Sequence, residues 1–260
     1  MATALVTGAT AGIGNAFARL LAARGHGLVL VARDGERLSG VADALRAAHG
    51  VPVEVLLADL SVREQVERVA DRLRDGDRPI DLLVNNAGFS VHGSFVGGDL
   101  AAEEAMLDVL VRAVLVLTHA AVPGMVSRRR GAVVTVASVA GFLPGGTYSA
   151  AKAWAVTFST SLALELLGTG VTATALCPGY VRTEFHARAG FRMDSLPGWA
   201  WLDADRLVRD CLDDVGRDRS VSVPSMRYRV AVTLLRHLPL GAAQLVGRWR
   251  LRARSGDRQR

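Results

Sequence analysis

Lysine is almost absent from this chain. Of the 31 basic residues in 260, thirty are arginine and one is lysine, Lys152. Cysteine is nearly as scarce. Cys177 and Cys211 alone suggest no disulfide framework, which points to a reducing, cytoplasmic setting. No run of 18 or more apolar residues occurs; the richest stretch, Ala113 to Val126, is interrupted by His119 and Pro123. That argues against a membrane-spanning helix. The N-terminus enters an apolar run directly after Met1-Ala2-Thr3, with no basic lead-in, which argues against a cleaved signal peptide. The six histidines (26, 49, 92, 119, 186, 237) are scattered with no H-E-x-x-H spacing, so no metal site is expected. The G-x-S-x-G elbow of many hydrolases is also missing.

Half the residues are hydrophobic, enough to fill the core of one large domain spanning 1–260. The net charge of +6 is uneven: Arg219 to Arg260 carries ten arginines against one acid, Asp257, a local +9 that leaves −3 for the rest. A basic tail suits nucleic acid or anionic lipid, but a solvated arginine-biased terminus has the same composition, and no nucleic-acid partner is expected. Apolar runs at Thr3–Thr7, Gly27–Ala32, Val53–Leu57, Ile80–Val84, Gly131–Ser138, Val171–Leu176 and Ser220–Val223 read as strands. Helical patterns fall between them at Asn15–Arg24, Gly35–His49, Val62–Arg74, Asp99–Ser127 and Thr147–Leu167. Strands that are apolar throughout, alternating with helices, predict an α/β fold: one doubly wound, Rossmann-like parallel sheet with helices on both faces.

The chemistry-bearing residues gather at the carboxyl ends of those strands, where such sheets bind ligands. After the first strand comes G-A-T-A-G-I-G, with Gly8, Thr10, Gly12, Ile13 and Gly14 opening a helix. Strand, glycine turn and helix N-terminus together cradle a pyrophosphate. The spacing is G-x-x-x-G-x-G rather than G-x-G-x-x-G. After the second strand, Ala32 replaces an acid that would hold a free ribose 2′-hydroxyl, and Arg33 suits a 2′-phosphate. NADP(H) is therefore favoured over NAD(H), while Asp34 either blurs that choice or caps the next helix. Asp59-Leu60 follows the third strand, Asn85-Asn86-Ala87-Gly88 the fourth, Ser138 the fifth and Pro178-Gly179-Tyr180-Val181-Arg182-Thr183 the sixth. Tyr148 and Lys152 lie four apart, on one face of a helix. A compact ammonium there would favour the phenolate and lower the tyrosine pKa from about 10, giving an acid–base group that works near neutrality. The pair alone occurs on many solvated helices; its surroundings give it weight.

Taken in order, T-G-A-T-A-G-I-G at 7–14, Asp59, N-N-A-G at 85–88, Ser138, Y-S-A-A-K at 148–152 and P-G-Y-V-R-T at 178–183 resemble the short-chain dehydrogenase/reductase family over about residues 3–185. The resemblance implies that Tyr148 exchanges a proton with the substrate oxygen and that Ser138 hydrogen-bonds that oxygen. It implies that Lys152 lowers the Tyr148 pKa and holds the nicotinamide ribose, and that Thr183 and the Val181 backbone hold the carboxamide. Asp59 and Leu60 would meet adenine, and Asn86, Ala87 and Gly88 would line the cofactor. Pro178 and Gly179 belong to the same cofactor run. Two features depart from the family. Its helix asparagine is replaced within Asp108-Val109-Leu110-Val111, where Leu110 cannot hold a relay water. The interval from Ser138 to Tyr148 is also short, with Gly145-Gly146 implying a tight turn.

The expectation is an oxidoreductase acting on an apolar ketone, acyl-chain or steroid-like carbonyl or its alcohol, as a homodimer or homotetramer. The alternative is an NADP(H)-binding scaffold or sensor with weak turnover. Residues 185–202, with two tryptophans in a Gly/Pro-broken stretch, read as a substrate lid or as a helix packed on the core. Residues 225–260 read as two basic apolar helices, Tyr228–His237 and Leu240–Leu251, which would close the pocket, join subunits or touch a membrane peripherally.

Overall fold

The computed structural model describes residues 1–91, 93–184 and 198–237, with the side chains of 236 and 237 left aside. Residues 3–7, 27–32, 53–57, 82–85, 131–136, 171–176 and 221–222 form β1 to β6 and β9. They build a seven-stranded sheet in the order β3-β2-β1-β4-β5-β6-β9, parallel throughout. Every residue of β2 and β4 is buried, which explains their unbroken apolar sequence. The order reverses between β1 and β4, where Ala4 pairs with Leu82 on one side and Leu28 on the other. That reversal opens the crevice that the glycine turn and the Asn86–Gly88 run share.

Two apolar layers enclose the sheet. On one side lie α1 (Gly12–Ala23) and α2 (Gly35–His49), with Phe17, Leu21, Leu38 and Leu45 buried. On the other lie α3 (Arg63–Arg74) and α5 (Ala113–Ser127), which pack on each other and bury Val66, Val69, Leu117 and Met125. Capping fixes the helix starts. Asp34 accepts from the Arg37 N–H at 3.1 Å, so it caps α2; Asp99 likewise caps α4 (Leu100–Leu107). Gly50, at φ 65°, ends α2 in the left-handed conformation that spares a side chain.

Helix α4 runs into α5 through a π turn, Asp108–Arg112, rather than a break. The continuous helix Leu100–Ser127 is long and apolar enough by composition to cross a membrane. This corrects the expectation that no helix qualifies: the interrupting His119 and Pro123 sit inside the helix without ending it. Its burial between α3 and α6 (Thr147–Glu165) accounts for that composition without a bilayer.

Several elements end differently from their sequence pattern. β5 stops at Val136, leaving Ser138 in extended backbone ahead of a 3₁₀ turn, Val139–Phe142. β4 starts at Leu82, not Ile80. The helix α7, Ala204–Val215, has no counterpart in the reading above. Asp203 caps it, and Leu207, Val208 and Cys211 are buried against α1. A two-residue parallel pair, β7 (Tyr180–Val181) with β8 (Trp201–Leu202), is also new. The C-terminal helix α8 spans Met226–His237; the second tail helix, expected at 240–251, lies outside the described residues. So does most of the expected lid, 185–197.

Candidate active site

The glycine turn is built by close approach. Gly8, at φ 67°, has no room for a Cβ, which would stand 2.8 Å from the Asn86 Nδ2. At Gly14 the same atom would stand 2.3 Å from Nδ2 and from the Gly8 carbonyl oxygen. The Asn86 side chain is thus committed to the turn: Nδ2 donates to the Thr7 carbonyl at 2.8 Å and the Gly8 carbonyl at 3.2 Å. Thr7 Oγ1 completes the tie by accepting from the N–H groups of Asn86 and Ala87. This modifies the sequence expectation, because the amide of Asn86 shapes the cradle. At the head of α1, Ala11 supplies no side-chain cap and the first turn carries no acid. Its N–H groups and positive dipole end suit an anionic group.

Around this turn stand the residues expected to read the adenosine end. Asp59 accepts from the Ser61 N–H at 2.9 Å and the Ser61 hydroxyl at 2.7 Å. Burial pushes its carboxyl up, but these bonds and the charge of Arg33 carry it below the usual range. Leu60 is buried. Arg33 is exposed at the end of β2. A second arginine, missed in the sequence, shares this mouth. Arg37 reaches Glu184 at 3.0 Å and the Thr10 carbonyl at 3.5 Å. Thr183 lies on the turn itself: its Cγ2 is 3.0 Å from where a Gly12 Cβ would sit. The strand after Pro178-Gly179 therefore folds back over the glycine turn, with Val181 buried beneath it.

The residues expected to form the reacting centre lie at the far end of the crevice. Tyr148 opens α6, and Lys152 follows one turn later with its Nζ 5.7 Å from the Tyr148 ring centroid. Lys152 is buried and donates to the Val136 carbonyl at 2.6 Å. The Ser138 hydroxyl lies near enough to the Tyr148 phenol to act on it, and Ser138 Oγ accepts from the Ala140 N–H at 3.1 Å. The short interval between them closes because three glycines allow it. Gly141 presses on the α6 backbone, where a Cβ would stand 2.8 Å from the Lys152 carbonyl; Gly145 abuts Ser149; Gly146 adopts φ 84°.

Electrostatically, the pair departs from expectation. Burial pushes the Tyr148 phenol above its ordinary value, and the neighbouring Ser138 hydroxyl only partly offsets this. Burial lowers Lys152 to about 8, with nearby Cys177 pulling back up. Burial of the phenol outweighs the expected downward pull of Lys152 on Tyr148, and the Lys152 Nζ gives its short hydrogen bond to Val136. Leu110, from the π turn, is buried with Met106 and Ala151, and Tyr148 packs against this cluster. A Cβ on Gly88 would meet Leu110 Cδ2 at 2.6 Å and Lys152 Nζ at 3.9 Å, so Leu110, Gly88 and Lys152 crowd one spot.

The chain is similar to known proteins over most of its length. The short chain dehydrogenase family model matches residues 2–192. A short-chain dehydrogenase from Sphingobium yanoikuyae, solved with NADPH, is 36% identical with a TM-score of 0.83, covering 92% of this chain and 97% of its own. The bulky-bulky ketone specific alcohol dehydrogenase of Comamonas testosteroni is 31% identical with a TM-score of 0.78, covering 92% and 96%. The ketoacyl reductase HetN of a Nostoc species is 34% identical over 227 residues, 85% of this chain and 77% of that one. With the family model spanning most of its length and the sheet, glycine turn and Ser138–Tyr148–Lys152 cluster in place, the chain belongs to the short chain dehydrogenase family.

Proposed function

We propose that this chain is an NADP(H)-dependent oxidoreductase that interconverts an apolar ketone, of acyl-chain or steroid-like character, and the corresponding alcohol. The observation that carries this reading is the contact between the Ser138 and Tyr148 hydroxyls with Lys152 directly behind them, at the edge of the crevice that begins at the glycine turn. The glycine positions, where no Cβ fits, and the uncapped head of α1 suit a pyrophosphate. Arg33 and Asp59 would hold the adenosine end, with Arg33 favouring a 2′-phosphate. Pro178, Gly179, Val181 and Thr183 would hold the nicotinamide end. The nicotinamide, when bound, exchanges a hydride with the carbonyl carbon. In the reductive direction Ser138 donates a hydrogen bond to the substrate oxygen, and Tyr148 transfers its phenolic proton to it. The Lys152 ammonium lies close enough to stabilise the phenolate left behind.

An apolar substrate fits the surroundings of Tyr148, where Met106, Leu110 and Val91 gather, and the named preferences of the ketone-reducing relatives. Association into dimers or tetramers is supported by Leu115 on α5 and by Leu164 and Leu167 at the end of α6, all exposed. Two free, buried cysteines suit a reducing, cytoplasmic setting. A second reading, a cofactor-binding scaffold with weak turnover, is favoured by one feature: Leu110 fills the position beside Lys152 with hydrocarbon.

NADPH oxidation by the purified protein against a panel of bulky ketones, aldehydes and quinones separates the two. The oxidoreductase reading expects turnover that Tyr148→Phe lowers at least about a hundredfold while NADPH binding persists. NADPH binding without turnover on any member of the panel supports the scaffold, and a phenylalanine variant with half the wild-type rate removes Tyr148 from its role.

A further inference from the structure

We propose that Tyr228, on the C-terminal helix, is a positioning residue for the nicotinamide end of the site; this rests on the cofactor reading above. Tyr228 fills the space that a side chain at position 179 would need. A Cβ on Gly179 would stand 2.1 Å from the ring Cζ and 2.3 and 2.4 Å from the two Cε atoms. Gly179 is not in the left-handed region, so backbone freedom is not what requires glycine there; the aromatic ring lying against its Cα does.

The hydroxyl of the same side chain then ties two strands together. It accepts from the Tyr180 N–H at 3.2 Å and donates to the Ala200 carbonyl at 2.7 Å. Those two residues stand at the start of β7 and just before β8, a pair only two residues long. Arg227 adds to the hold, donating to the Trp199 carbonyl at 3.1 Å with its guanidinium 5.7 Å from the Trp199 ring. From beneath, Tyr228 and Val232 join Val139 and Phe142 in one apolar cluster, and the Val139 N–H donates to the Pro178 carbonyl at 3.0 Å. One side chain therefore supports both the turn that follows Ser138 and the Pro178–Thr183 segment. Through these contacts Tyr228 acts on the site by fixing the backbone of the Pro178–Thr183 segment.

The test compares NADPH with 2′-phospho-ADP-ribose, the same molecule without nicotinamide, in direct titrations of the full chain. Tyr228→Phe keeps the ring and loses the hydroxyl. Its dissociation constant for NADPH should rise about three- to tenfold, the scale of one or two lost hydrogen bonds, while that for 2′-phospho-ADP-ribose stays within about twofold. Gly179→Ala should weaken NADPH strongly in the wild-type background and add little in a Tyr228→Ala background, because the clash is with the ring. Equal losses for both ligands, no loss for either, or a Gly179→Ala penalty that is the same in both backgrounds overturns the proposal. Should Gly179→Ala fail to fold, Tyr228→Phe decides alone. Wild-type protein that binds no NADPH fails the cofactor reading and this proposal with it; wild-type binding with an unaltered Tyr228→Phe fails this proposal only.

Discussion

Tyr148 and Lys152 sit one helical turn apart, yet the same burial moves them in opposite senses, the phenol upward and the ammonium down to about 8. The phenol thus keeps its proton through the neutral range, which suits donation to a carbonyl oxygen. The group that changes state near working pH is Lys152. Below pH about 8 its ammonium is present; above, it is progressively lost. For ketone reduction, kcat/KM should be level toward acid and fall about tenfold per pH unit above 8. A profile level to pH 10 would show that the charge of Lys152 is not needed. At the other end of the crevice, Arg33 stands exposed beside the partly buried Asp59. Arg33→Ala should raise the dissociation constant for NADPH about tenfold or more, the scale of a charged hydrogen bond, and leave that for NADH nearly unchanged. Equal losses would move the choice of cofactor to another group, with Arg37, which reaches the Thr10 carbonyl, the next candidate.

Among the elements, the π turn at Asp108–Arg112 is the one whose side chain most alters the site. It presents Leu110 to Met106, Ala151 and Tyr148, with Gly88 pressed against its Cδ2. Leu110→Asn places an amide in that apolar spot at a cost of about 1–3 kcal/mol, which for a chain of roughly this size lowers Tm by several degrees. Thermal denaturation checks it, and an unchanged Tm would mean that the amide finds partners there. How far each element could be read in advance follows from the range of the interactions that shape it. β1, β2, α2, β3 and β6 match their sequence patterns end to end, because apolar runs and the Asp34 cap are local signals. The glycine turn, Ser138, Tyr148 and Lys152 were legible because their spacing is itself local. Helix α7 carried a signal that went unused, the Asp203 cap followed by Leu207, Val208 and Cys211 at helical spacing. Tyr228 left no local trace: its partners are 48 and 28 residues away. The bond from Lys152 to Val136, which spans 16 positions, was equally invisible, as was the burial that sets both pKa shifts.

At the scale of the whole molecule, one parallel sheet brings six strand ends into one crevice, where residues from Gly8 to Thr183 meet. The C-terminal helix then closes the far edge, burying Val232 while Val230 and Leu234 face outward. Vesicle co-sedimentation at low and high salt would show whether anionic lipid takes this exposed pair. The composition of the chain adds one more property once the position of Lys152 is known. The one lysine side-chain amine of the chain lies inside the crevice, hydrogen-bonded to Val136. An amine-directed reagent therefore becomes an occupancy probe needing no engineered tag. Mild acylation followed by mass spectrometry should show Lys152 modified slowly, with NADPH shielding it; a rate that NADPH leaves unchanged would place the cofactor away from Lys152.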